Sequence, residues 1–151
     1  MPDYAFNRQA GFEYEFLQKY EAGLVLIGQE VKSIRDSHIS LKGAYVVLKD
    51  EEAWLINANI PAWQPKNTPA GYEATRSRKL LLREHEIRSL IGQSKQTGLT
   101  LVPIRVYNSK GKIKLEFALA RGKKSFDKRA IIGRREADRR IQRVLRGKTE
   151  D

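Results

Sequence analysis

The chain has 151 residues, no cysteine, and 29 basic against 18 acidic side chains, for a net charge of +11. That length suits one domain, and the absence of thiols excludes disulfides, thiolate nucleophiles and thiolate metal sites, as fits a reducing compartment. No apolar run approaches the ~18 residues that a membrane span needs, and the opening "MPDYAFNRQAGFEYEF" lacks the basic-then-apolar order of a secretory signal, so a cytoplasmic location is expected.

The first apolar run, "GLVLIG" (23–28), lies between glycines and predicts a strand. "QEVKSIRDS" follows as one helical segment, with Val31 and Ile34 on one side and Lys32 and Arg35 on the other. In "AYVVLKDEEAWLINANI" (44–60), two β-branched and aromatic runs flank the acidic turn Lys49–Glu52, which predicts a hairpin with Val46, Leu48 and Leu55 on alternate faces. Three prolines and a glycine in "PAWQPKNTPAGYEAT" (61–75) exclude a central strand or a helix interior there, leaving a long surface loop.

Next comes the basic block of "TRSRKLLLREHE" (75–86), where Arg76, Arg78 and Lys79 precede an apolar run. On an extended segment two of the three would project from one face, as tracking a phosphate backbone requires, although short basic clusters are also common at solvated edges. "EHEIRSLIGQSKQ" (84–96) carries Ile87, Leu90 and Ile91 at helical spacing, with acids in the first turn where the helix dipole favours them. "LTLVPIRVYNSKGKIKLEFALA" (99–120) predicts a second hairpin turning at Asn108–Gly111. Its second arm alternates Ile113, Leu115, Phe117 and Leu119 with Lys112, Lys114, Glu116 and Ala118, a half-buried strand with a basic outer face.

The chain ends in a segment too charged to build a core. Residues 121–151 hold twelve Lys/Arg and five Asp/Glu, against seventeen and thirteen in residues 1–120. A mildly basic body thus carries a strongly basic tail, and clustered cations favour a polyanion because each phosphate neutralised releases counterions. Ala137, Ile141, Val144 and Leu145 fall at helical spacing among arginines whose mutual repulsion opposes an isolated helix, so the tail is expected to be disordered when free and helical on a polyanion. Phe126, set among Lys123, Lys124, Lys128 and Arg129, suits base stacking. The order of hairpins and inserted helices points to a mainly β protein with flanking helices, a small antiparallel barrel, with a small sandwich left open by periodicity alone.

Catalytic signals are absent. Position 89 is Ser, so "REHEIRS" cannot supply the second histidine of a zinc helix, and His38 and His85 have no cysteine or third histidine to join. Asp50, Glu51 and Glu52 are adjacent but sit in a predicted turn, and no phosphate-cradling glycine motif occurs. The reading is a nucleic-acid binder, not an enzyme, with no metal and no cofactor. A magnesium-dependent RNA-processing nuclease and a structural ribosomal protein are the alternatives.

Four blocks in order, "YEAGLVLIGQEVKSIR" (20–35), "TRSRKLLL" (75–82), "GLTLVPIRVY" (98–107) and "ARGKKSFDKR" (120–129), give the chain a resemblance to the SmpB family of SsrA-binding proteins over nearly its whole length. The resemblance implies an oligonucleotide-binding (OB-fold) antiparallel barrel over residues 1–122 and a basic tail over 123–151. It implies binding to the tRNA-like domain of transfer-messenger RNA and its delivery to stalled ribosomes for trans-translation. The tail would occupy the empty mRNA channel as a helix, beside ribosomal RNA. A monomer is the simplest form of such an adaptor. Carried over by position, the RNA-binding surface includes Asn7, Glu21 and Leu81, with Arg76, Arg78 and Lys79 in the basic block and Lys32 and Arg35 as neighbours. Lys123, Lys124, Phe126, Asp127, Lys128 and Arg129 match the family's ribosome-binding tail segment, with Phe126 standing where Tyr or His is usual.

Overall fold

The computed structural model describes residues 3–64, 66, 70–95 and 98–123. The expectations for Lys124, Phe126, Asp127, Lys128, Arg129 and the rest of the tail lie outside the described residues. Within them the chain runs β1 (Asp3–Phe6), α1 (Arg8–Glu13), β2 (Tyr14–Leu24), α2 (Gly28–Arg35), β3 (Tyr45–Lys49), β4 (Glu52–Ile56), β5 (Arg78–Leu81), α3 (Glu84–Ser94), β6 (Leu99–Ser109) and β7 (Lys112–Gly122). All strand pairings are antiparallel. The pairings β6–β3–β4–β5–β2–β7 return to β6 and close a ring, while β1 pairs with the stretch of β6 around Tyr107.

Both predicted hairpins form, for the expected local reasons. Asp50 and Glu51 take left-handed φ of 53° and 62°, and Lys110 and Gly111 take 51° and 78°. Two consecutive left-handed residues give the tight turn whose twist matches that of paired strands. In β3–β4 the expectation of alternate faces does not hold: Val46 and Leu55 face each other in register and are buried, and Leu48 packs on the same core. In β7, Ile113, Leu115, Phe117 and Leu119 all point inward, while Lys112 is exposed and Lys114 and Glu116 are half-buried.

The region before residue 28 differs from expectation. Of the strand foreseen at 23–28 only Gly23 and Leu24 are strand, the end of β2, which starts nine residues earlier at Tyr14; residues 25–27 lead into α2 at Gly28. A register shift between Phe16 and Gln18 turns the strand over, so that Phe16 packs with Ala10, Val102 and Ala120 while Tyr20 enters the main core. Strand β1 and helix α1 span only four and six residues, too few for periodicity to show. Asn7 joins them to β6. Its backbone N–H donates to Ile104 O at 2.7 Å, its side-chain amide donates to Pro103 O at 3.0 Å, and its Oδ1 accepts from the Ala10 N–H at 3.3 Å. Those two carbonyls lie at the Pro103/Arg105 register shift of β6, where the β6–β7 ladder is interrupted.

The core fills the ring. Tyr20, Ile34, Leu55, Ile60, Leu80, Leu90, Val106, Leu115 and Phe117 are among its buried members, so α2, α3 and the segment after β4 all contribute. Tyr20 stacks on Phe117 with ring centroids 5.5 Å apart, and its hydroxyl donates to Gln93 of α3 at 3.1 Å.

Candidate nucleic-acid interface

The basic block divides by strand parity. Arg78 and Leu80 share one face of β5, and Leu80 is a core residue, so Arg78 also points inward. It is fully buried and does not project toward solvent, which corrects the expectation that it tracks a phosphate backbone. The reason is a built partner set. Arg78 Nε donates to Glu30 Oε2 at 2.8 Å, Nη1 to Ala58 O at 2.6 Å and Nη2 to Ala74 O at 2.9 Å. Arg76, 31 % exposed at its side chain, donates to both oxygens of the same buried carboxylate, its Nε to Oε2 at 3.1 Å and its Nη2 to Oε1. Burial alone would raise the Glu30 carboxyl, but bonds from Arg76, the Ile27 N–H and Arg78 outweigh it and hold the group below its ordinary range. Lys79, on the opposite face, forms an ion pair with Glu52 at 2.9 Å.

The outer face of β6, β7, β2 and β5 gathers Glu21 and Leu81. Register sets Tyr107 beside Lys114, Lys114 beside Gly23, and Gly23 beside Leu81, which is 53 % exposed. The neighbouring row runs Arg105, Glu116, Glu21. Gly23 is the low point between the rows' ends. A Cβ there would stand 3.4 Å from Leu81 Cβ and 3.8 Å from Lys114 Nζ.

Two shallow depressions, of about 350 and 490 Å³, meet at Leu81 and Lys114. The first adds Arg35 and Lys112, and the second adds Glu21, Arg83 and His85. Arg35 is held in place by the Tyr4 hydroxyl at 3.2 Å and Gly111 O at 3.1 Å. The structure thus brings Glu21, Leu81 and Arg35 to one surface. Lys32 lies apart from it, its ammonium 4.6 Å from the centre of the Trp63 ring. Asn7 lines neither depression and serves as the cap of α1. Lys123 is tied to α1, its N–H on Glu13 O and its Nζ on Gly11 O at 2.8 and 3.0 Å.

Sequence reasoning had recognised the basic outer face of β7 but missed Arg83, Arg105 and Tyr107. Tyr107 donates its hydroxyl to Glu21 Oε2. The Arg105 guanidinium lies over the Tyr107 ring at 4.0 Å and bonds Asp3 at 2.8 Å and Glu116 at 3.4 Å. Burial, then the bond and charge of Glu21, push the Tyr107 hydroxyl well above its ordinary range. Among the described residues no group of three or more His, Cys, Asp or Glu could hold a metal ion, and no helix is long and apolar enough to cross a membrane.

The family profile described as "SmpB protein" matches residues 4–147. The chain is 52 % identical over 143 residues to an SsrA-binding protein of Sphingomonas elodea, covering 94 % of this chain and 89 % of that protein. It is 47 % identical over 140 residues to one of Trichodesmium erythraeum (strain IMS101), covering 93 % and 90 %. A solved chain described as "tmRNA-SmpB: a journey to the center of the bacterial ribosome" matches with a TM-score of 0.65 and 44 % identity, over 80 % of this chain and 84 % of that one.

Proposed function

Because the chain belongs to the SmpB family of SsrA-binding proteins, we infer that it binds transfer-messenger RNA and serves trans-translation, the rescue of stalled ribosomes. The observation that carries the residue-level reading is the convergence of Glu21 and Leu81 on one outer face rimmed by Arg35, Arg83, Lys112 and Lys114. We read this face as the seat of the tRNA-like domain, with the cations on phosphates and the Leu81 side chain against a sugar or base. Lys79, Arg76 and Lys32 are the further candidates for backbone contacts at its margins, and Arg78 and Asn7 support the surface from within.

The closed ring of pairings supports an oligonucleotide-binding barrel. Residues 1–122 form that body in this reading. The tail from Lys123, including Lys124, Phe126, Asp127, Lys128 and Arg129, enters the vacant mRNA channel and becomes helical there. The adaptor works as a cytoplasmic monomer and catalyses nothing, its whole contribution being recognition and placement. Recovery of the bound RNA from cell extract, followed by sequencing, tests this. One RNA species dominating the recovered pool is the expected result. Broad recovery of ribosomal RNA with no enrichment of transfer-messenger RNA would reject it.

A further inference from the structure

We propose that Tyr107 is a positioning residue for RNA recognition, fixing Glu21 so that one carboxylate oxygen is presented to an O–H or N–H donor of the bound RNA. This rests on the assignment of the Glu21–Leu81 face to RNA. A carboxylate in a polyanion site repels phosphates and the acceptor edges of bases, so it is useful there only if it meets a donor. Of the two Glu21 oxygens, Oε2 accepts from Tyr107. Oε1 has no protein partner among the described residues, and the side chain borders the larger depression with Leu81, Arg83 and Lys114.

The geometry fixes the tyrosine as firmly as it fixes Glu21. Tyr107 starts on β6, and its hydroxyl reaches across β7 to β2, leaving the residue only 8 % exposed. Arg105 covers the ring from its own strand and is itself held by Asp3 of β1 and Glu116 of β7. Glu116 sits directly opposite Glu21 in the β2–β7 ladder, an arrangement of like charges that would push the two side chains apart. Arg105 neutralises Glu116 and Tyr107 holds Glu21, so the carboxylate keeps one rotamer. The raised titration of the tyrosine keeps it a donor throughout the neutral range. An acceptor ordered before binding loses less entropy when its partner arrives.

A double-mutant cycle on binding of the tRNA-like-domain RNA tests this. Tyr107→Phe removes one oxygen and keeps the ring under Arg105. It is expected to weaken binding about tenfold, and Glu21→Gln to weaken it at least as much. In the Glu21→Gln background, Tyr107→Phe should then cost little more, because its effect runs through that carboxylate. Glu21→Asp retains the charge but withdraws it from the hydroxyl, and should bind about as weakly as Glu21→Gln. The salt dependence of Tyr107→Phe should match that of the wild type, since no phosphate contact is lost.

Wild-type affinity in Tyr107→Phe, full additivity in the cycle, or wild-type affinity in Glu21→Asp would each overturn the proposal. Failure of the wild-type protein to bind the RNA would instead reject the functional reading beneath it. Running the cycle on RNA with 2′-O-methyl riboses identifies the donor. Coupling lost there assigns it to a ribose hydroxyl, coupling retained assigns it to a base amine, and both sustain the proposal.

Discussion

Arg78→Met should unfold the body at a much lower temperature without acting on RNA directly. The guanidinium is fully buried and makes three bonds, one to the buried Glu30 and two to the carbonyls of Ala58 and Ala74. Its removal leaves Glu30 with Arg76 as its one remaining side-chain partner and strips two carbonyls of a donor. Breaking a buried ion pair from one side costs about 3–5 kcal/mol. At roughly 3–5 °C per kcal/mol for a body of this size, the melting temperature should fall by about 9–25 °C. Adding Glu30→Gln removes a buried charge left with one cationic partner and should recover part of the loss.

Circular dichroism melts of the wild type, both single variants and the double variant give the full cycle. The acid limb provides a second reading. Glu30 is held below its ordinary carboxylate range, so its contribution is complete above the unfolded value of about 4.3 and disappears as pH falls through the folded value. Glu30→Gln lacks that titration, and its melting temperature should fall less steeply below about pH 4.3. The reasoning fails if Arg78→Met melts within about 1 kcal/mol of the wild type, or if Glu30→Gln makes Arg78→Met worse.

Three other outcomes follow from the proposed function. Truncation after Lys123, which keeps that residue's bonds to Gly11 and Glu13, should change affinity for transfer-messenger RNA by less than about tenfold while abolishing tagging on stalled ribosomes. Lys114→Gln should weaken RNA binding several-fold and lower the slope of log affinity against log salt by about one, the signature of one lost phosphate contact. An unchanged slope would remove Lys114 from the phosphate path. Phe126→Tyr and Phe126→Trp should retain tagging while Phe126→Ala reduces it, since a base–aromatic stack contributes about 1–3 kcal/mol. Free transfer-messenger RNA should bind all three equally, and a fall in melting temperature with tagging intact would reject stacking.

The two hairpins were legible because everything that specifies them is local: alternation along each arm and turn residues tolerant of left-handed φ. Strand β2 was passed over although Tyr14, Phe16, Tyr20, Ala22 and Leu24 keep period two, because polar Gln18 falls at an inward position and exposed Leu17 at an outward one. The inward direction of Arg78 was available in principle. "RKLLL" places Arg78 two residues before Leu80, and a core leucine fixes the parity of the strand. What defeated that inference was the rarity of buried arginines, which depends on a glutamate 48 positions earlier that no local pattern reveals. Tyr107 was hidden for the same reason, since its meaning lies in Glu21, 86 positions away across an intervening strand.

The outer face proposed to bind RNA carries acids as well as cations: Arg105 pairs with Asp3 and Glu116, and Glu21 accepts from Tyr107. Arg105 is consumed by Asp3 and Glu116, which leaves it poorly placed to serve a phosphate. In the proposed reading, attraction falls to Lys112, Lys114, Arg83 and Arg35 around the two depressions. Such cations bind any phosphate backbone and carry no sequence information. The acids supply the opposite quality. Every approach that offers Glu21 an acceptor is penalised, and only one that offers a donor is accepted. On this reading the body would select more than it attracts, in keeping with its modest charge relative to the tail.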